Sequence, residues 1–218
     1  MKRFCLILML FCTCMAFFWP KAVDASSSVA KKIIVIDAGH GGWDPGKVGK
    51  NDKLEKDINL AIAEDLQVLL ELGGAVVFLT RATDTALADK KNADLKARAA
   101  MPTNLWADIF ISIHQNAFPS AKVRGAQAFY FDKSEESHHL AEAIQGRIKS
   151  FLDIANNKGA KADTNYFLLK NTKTPAVLIE CGFLTNPEEL QLLTEENYQE
   201  KMAWAIYLGI LDYFAPSP

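Results

Sequence analysis

What most limits the folding of this chain is a set of short stretches that are apolar at nearly every position: Ile33-Ile34-Val35-Ile36, Ile109-Phe110-Ile111-Ser112-Ile113 and Pro175-Ala176-Val177-Leu178-Ile179. A strand with one wet face alternates apolar and polar residues, so continuous runs belong to strands covered on both faces. After the first run, Ile58, Ile62, Leu66, Leu69 and Leu70 recur at helical steps and stop at Gly73-Gly74. Residues 75–79 then read as the next strand, and this β-loop-α-β order implies a parallel pair. Residues 125–131 read as a further strand, and Leu140, Ala143, Ile144, Ile148, Phe151 and Leu152 mark a second amphipathic helix. Asn186-Pro187-Glu188-Glu189 supplies an N-cap, a proline at the first helical position and a capping glutamate. A last helix begins near Thr194 and shows Tyr198, Met202, Ile206 and Ile210 on one face. The polar, alanine-rich stretch 81–104 holds a helix around Leu95 to Ala100 that Pro102 is expected to interrupt. The expected fold is α/β: a single domain with an open, twisted, mostly parallel sheet flanked by helices on both faces.

The N-terminus carries a separate message. Met1-Lys2-Arg3 precedes an apolar stretch from Phe4 to Trp19, then Pro20 and the small residues around Ala22 and Ala25. This reads as a secretory signal cleaved near Ala25. An uncleaved anchor formed by residues 4–19 is the alternative, although the stretch falls short of the roughly 20 residues that usually span a bilayer. Neither Cys12 nor Cys14 follows the small residues that lipid attachment wants. The expected plan is residues 1–25 as signal or anchor, 26–32 as linker and 33–214 as catalytic domain, with no separate wall-binding domain. Of the four cysteines, only Cys181 lies beyond the export segment, so no internal disulfide is expected and stability must come from the core and from bound metal. Its apolar neighbours make Cys181 a buried, inert thiol in place of a nucleophile. Lys and Arg number 24 against 26 Asp and Glu, without long runs of one sign, so nothing draws the chain to nucleic acid.

Chemistry collects at the ends of the buried strands: His40 follows the first, His114 follows Ile113 and Glu180 follows Ile179. In open parallel sheets the ligand crevice lies outside the carboxyl ends of the strands, so these positions converge despite their separation in sequence. Glu55 starts the first helix at the same rim. Two histidines and a carboxylate are a ligand set of catalytic zinc that leaves a fourth place open, and a second carboxylate can serve as base. Spacing alone does not say which of Glu55 and Glu180 ligates, and a histidine at a strand end is often only structural. Asp37 and Asp57 are placed to orient ligands from behind or to be solvated. His138 and His139, adjacent on a helix, point in different directions and read as surface residues. Trp43 and Trp106 could stack on sugar rings, with packing the preferred reading.

Four ordered blocks, Ile36-Asp37-Ala38-Gly39-His40-Gly41-Gly42, Leu54-Glu55-Lys56-Asp57, Ser112-Ile113-His114-Gln115-Asn116-Ala117 and Ile179-Glu180-Cys181-Gly182-Phe183-Leu184-Thr185-Asn186, resemble the zinc N-acetylmuramoyl-L-alanine amidases of the amidase_3 family. The likeness runs from about Ile33 to Phe214 and is greatest to the CwlD-type amidases of endospore formers. It implies one Zn2+ held by His40, Glu55 and His114, with Glu180 as catalytic glutamate. It also implies Asp37, Asn116 and Arg98 as residues that touch substrate or brace the ligands. The implied bond is the amide between the muramic acid lactyl group and L-alanine of peptidoglycan, cut during spore cortex maturation or germination. The implied place is outside the cytoplasmic membrane, in the wall or spore cortex. The implied partners are a regulatory protein and a downstream muramic acid deacetylase pathway. Two features depart from the family pattern: Cys181 stands where valine is more usual, and the stretch from Phe118 to Gly125 is too short for the regulatory helix of division amidases. A zinc-stabilised wall-binding protein without catalysis and a zinc peptidase acting within the stem peptide are the competing readings.

Overall fold

The three apolar runs become the centre of one six-stranded sheet. The structure is a computed structural model that describes residues 27–216, so the expected signal or anchor lies outside the described residues. The strands are β1 (Ile33–Ala38), β2 (Val76–Leu79), β3 (Ile109–Asn116), β4 (Gln127–Phe131), β5 (Lys161–Asp163) and β6 (Ala176–Phe183), in the order β2-β1-β3-β6-β4-β5. The first four of that order run parallel; β4 is antiparallel to β6, and β5 is parallel to β4. β3 and β6 carry continuous runs because both faces are covered: every residue of β6 is buried.

Among the described residues the α-helices are α1 (Glu55–Leu72), α2 (Lys91–Asn104), α3 (Glu135–Arg147), α4 (Phe167–Asn171), α5 (Pro187–Leu193) and α6 (Glu196–Phe214). Alternation along β1 separates two cores. Ile34, Ile36 and Ala38 face a large one filled by Ile62 and Leu66 of α1, Leu140 and Ile144 of α3 and Ile206 and Ile210 of α6. Val35 faces a smaller one with Ala99 of α2 and Leu168 of α4. The domain is thus a mostly parallel sheet with helices on both faces, as the apolar runs required.

Local details depart from the sequence reading for identifiable reasons. α2 runs through Pro102 and ends two residues later at Asn104: the proline forgoes one i→i−4 bond near the C-terminus, so it marks the end of the helix without interrupting it. Asn186 caps α5 through the backbone N–H groups of Glu188 and Glu189. Glu189 does not complete a capping box; its buried carboxylate accepts instead from the backbone N–H groups of Gly125 and Phe183, both at 2.8 Å. β5 and α4 have no sequence signature, since three exposed or half-exposed edge residues and a five-residue helix are too short to show a period. Residues 28–31 form a turn with Val29 fully buried in the large core, so the packed body begins before Ile33. The reading of Trp106 as packing fails: the indole is 87% exposed. Cys181 is buried, and burial pushes its thiol up. Residues 117–126 form a loop without a helix.

Candidate metal centre and catalytic cleft

Beyond Ala38 the chain leaves the sheet through Gly39 and His40, and His40 takes a left-handed backbone with φ of 64°. That conformation is unfavourable for a residue with a Cβ, so its surroundings must hold it. Two buried arginines do so. Arg98 of α2 donates to the carbonyls of Ala38 at 2.9 Å and His40 at 2.7 Å, while pairing with Asp37 at 2.8 Å and Asp94 at 2.6 Å. Arg81, just after β2, donates to the carbonyls of Ala38, Gly39, Thr83 and Lys56, which ties the loop to the start of α1. Asp37 is wholly buried and also accepts from the hydroxyls of Thr80 and Ser112. Burial would raise its carboxyl; the Arg98 charge, with help from His114 and the two hydroxyls, outweighs that and holds it below the usual range.

This bracing brings together three residues expected from the sequence. Glu55, at the first position of α1 and only 2% exposed, places Oε1 3.2 Å from His40 Nε2 and 3.0 Å from His114 Nδ1. One ligand atom from each of the three lies within 4.8 Å of the others. His40 Nδ1 meets Asp44 Oδ2 at 2.9 Å, which leaves Nε2 for the cluster and fixes the ring. Glu55 is held in turn by backbone N–H groups of Lys47 at 2.7 Å and Gln115 at 3.1 Å and by the Asn59 amide. Burial alone would raise the Glu55 carboxyl, but hydrogen bonds and charge from His114 and His40 drive it well below the ordinary range. Two glycines make the approach sterically possible: a Cβ on Gly39 would overlap the His114 ring, and one on Gly46 would meet both Glu55 and His40. Two imidazoles and one carboxylate at this spacing form a donor set that fits a zinc ion.

Glu180 stands on β6 directly opposite His114 in the parallel register. It is 7% exposed; Oε1 accepts from the Tyr166 hydroxyl at 3.0 Å, and buried Oε2 has no partner. Burial pushes this carboxyl up, the attraction of His114 offsets only part of that, and the Glu55 charge adds to it. A cleft of about 480 Å³ is lined by His40, Glu55, His114, Glu180, Tyr166 and Asn116 among others. A raised carboxyl with a free oxygen, beside a metal-competent cluster in one cleft, is the arrangement needed to move a proton during hydrolysis.

Of the remaining expected residues, Asn116 lines the cleft, and its Oδ1 accepts from the backbone N–H of Ala117. Arg98 and Asp37 lie behind His40 and do not line the cleft; their contacts brace the His40 loop. Asp57 is exposed and does not join the group. The sequence reading missed Asp44, Asn59 and Tyr166. Asp44 follows His40 and Asn59 follows Glu55 by four residues, a spacing that could have drawn notice, whereas nothing local marks Tyr166.

Residues 34–212 match the family Amidase_3, described as N-acetylmuramoyl-L-alanine amidase. The chain belongs to the Amidase_3 family of N-acetylmuramoyl-L-alanine amidases. The germination-specific N-acetylmuramoyl-L-alanine amidase of Bacillus subtilis is 42% identical over 197 residues, which cover 87% of this chain and 82% of that protein. The structure of the CwlD amidase from Clostridioides difficile, in complex with the GerS lipoprotein, superposes with a TM-score of 0.80 at 46% identity, covering 84% of this chain and 98% of that one. A second N-acetylmuramoyl-L-alanine amidase, from Clostridium difficile 630, gives 0.76 at 35% identity over 84% of this chain and 96% of that one. This amidase is therefore most akin, among these, to the CwlD-type enzymes. Among the described residues no helix is long and apolar enough to cross a membrane.

Proposed function

We propose that this amidase holds one zinc ion with His40, Glu55 and His114 and uses Glu180 as general base to release L-alanine-linked peptides from muramic acid in spore cortex peptidoglycan. The observation that carries the reading is the buried, unpartnered Oε2 of Glu180 beside two imidazoles and a carboxylate in the same cleft. When bound, zinc supplies Lewis-acid polarisation of the scissile carbonyl and lowers the pKa of the attacking water. Glu180 takes the proton of that water on Oε2 and passes it to the departing nitrogen of L-alanine; its raised pKa suits both halves of the transfer. Tyr166 donates to Oε1 and so keeps the carboxyl oriented with the other oxygen free. Asp44 fixes the His40 ring, and the arginine clamps hold its backbone.

The germination-specific name of the Bacillus subtilis relative supports the cortex as substrate, and the lipoprotein in the Clostridioides difficile complex supports a protein partner for this chain. Both relatives support action outside the cytoplasmic membrane. The test is Glu180→Gln in the zinc-loaded protein. Metal content and binding to peptidoglycan are retained, while hydrolysis falls by about 10²–10⁴-fold. The unaltered enzyme generates new L-alanine amino termini without new reducing sugars. Undiminished hydrolysis by the variant, or reducing sugars in place of amino termini, overturns the reading.

A further inference from the structure

α2 ends in a complete Schellman motif: Leu105 is the C-cap, Trp106 N–H bonds to the Thr103 carbonyl at 3.2 Å, and Ala107 N–H bonds to the Pro102 carbonyl at 2.9 Å. The residue after the cap in this motif must be left-handed, and glycine is the usual occupant because it has no Cβ to strain. Here the position is held by tryptophan, with φ of 55°. Burial does not offset that strain, since Trp106 is 87% exposed, more than any other Phe, Tyr or Trp among the described residues. Local folding thus favours a different residue at this position, and the indole contributes almost nothing to the core.

The indole borders a cleft of about 580 Å³ whose other walls are Thr103, Asn104, Lys173, Thr174 and Pro175 with Ala107. Apart from the ring face, the groups offered are hydroxyls, an amide and an ammonium. A flat apolar platform rimmed by neutral donors and acceptors suits the apolar face and equatorial hydroxyl or acetamido groups of a pyranose; it does not suit an apolar helix, for which the rim is too polar. The cleft lies where the chain enters β3 and β6, while His114 and Glu180 stand toward the opposite ends of the same two strands. From Ile109 to His114 alone is roughly 16 Å of strand. This cleft is therefore distinct from the catalytic one.

We infer that the Trp106 cleft is a second carbohydrate site, which stacks a sugar ring of a glycan strand and holds the enzyme on its polymer while the catalytic cleft works elsewhere along it. The inference rests on peptidoglycan being the substrate. Lys173 adds a cation suited to the lactyl carboxylate that amidase action leaves on muramic acid.

The test titrates the zinc-loaded chain with peptide-free oligomers of alternating N-acetylglucosamine and N-acetylmuramic acid, following the Trp106 indole N–H by NMR, with Trp106→Gly as the comparison. Glycine suits the left-handed position, so this variant keeps or raises the melting temperature and stays folded. The glycan is expected to shift the Trp106 signal, and the variant is expected to bind it at least ten-fold more weakly. Its kcat on a single-disaccharide muropeptide remains unchanged. A glycan that leaves the Trp106 signal unmoved, equal affinity of the variant, or a shift produced by stem peptide and not by glycan overturns the inference. Hydrolysis of the small muropeptide reports on the amidase reading independently, so failure of one does not conceal failure of the other.

Discussion

At the scale of the residue, the site depends on polar atoms that are nearly all paired, with two exceptions. His40 gives Nδ1 to Asp44 and keeps Nε2 for the cluster, and both oxygens of Glu55 are engaged by backbone or side-chain donors. Glu180 Oε2 and Gln115 Oε1 are the two buried oxygens of the cleft lining without a partner among the described residues, and of the two only Glu180 can carry a proton. An unsatisfied buried carboxylate costs stability, which is tolerable where that atom performs chemistry. In the proposed zinc site, Asp44 would support metal affinity from outside the ligands by holding the His40 ring. Asp44→Ala removes the contact that fixes the His40 ring and leaves it free to rotate, so zinc affinity is expected to drop about 10–100-fold. Competition with a calibrated chelator measures this. Equal affinity in the variant would leave Asp44 with no part in orienting the ring.

Elements matter because the ligand loop has no regular structure of its own. β1 delivers His40 to the rim, α1 presents Glu55 from its first turn, and α2 reaches across with Arg98 to hold both the Asp37 carboxylate and the His40 carbonyl. The Arg98–Asp37 pair is buried, and removing the Asp37 charge leaves the guanidinium with Asp94 as its one remaining carboxylate. Asp37→Asn, which loses charge-assisted hydrogen bonds, is expected to lower stability at neutral pH by roughly 2 kcal/mol in urea unfolding. The folded-state carboxyl is depressed, so its stabilisation is present above the ordinary carboxylate range and disappears as pH falls through that range and below it. The gap between the parent and Asp37→Asn therefore narrows below about pH 4. A gap independent of pH would mean that the charge of Asp37 is not what matters.

For the whole molecule, the sheet acts as a scaffold that carries the cleft on its carboxyl edge, with large and small cores clamping it from both faces. Cys181 is the one cysteine among the described residues, so no disulfide closes this part of the chain. Metal that binds the folded form alone adds stability by mass action, about 2.7 kcal/mol when free zinc is one hundred times its dissociation constant. Thermal scans with zinc and with excess chelator are expected to differ, the melting temperature rising with zinc concentration. A melting temperature insensitive to both would count against a folded-state metal site.

The sequence by itself determined the strands buried on both faces, the α1 periodicity, the strand-end placement of His40, His114 and Glu180, and, through four ordered blocks, the family. These are local or strictly topological properties: apolar runs report two-sided burial, and parallel strands bring their ends to one edge whatever lies between them. Tertiary structure decided the rest. Whether Arg98 meets substrate or a backbone carbonyl, whether Glu189 caps its helix or accepts from Gly125, and whether Trp106 packs or faces solvent depend on distances between elements that no local pattern encodes. Tyr166 illustrates the reason: its hydroxyl reaches Glu180 only because α4 is packed beside β6, a contact fixed by the fold of the smaller core and by nothing in the residues next to it.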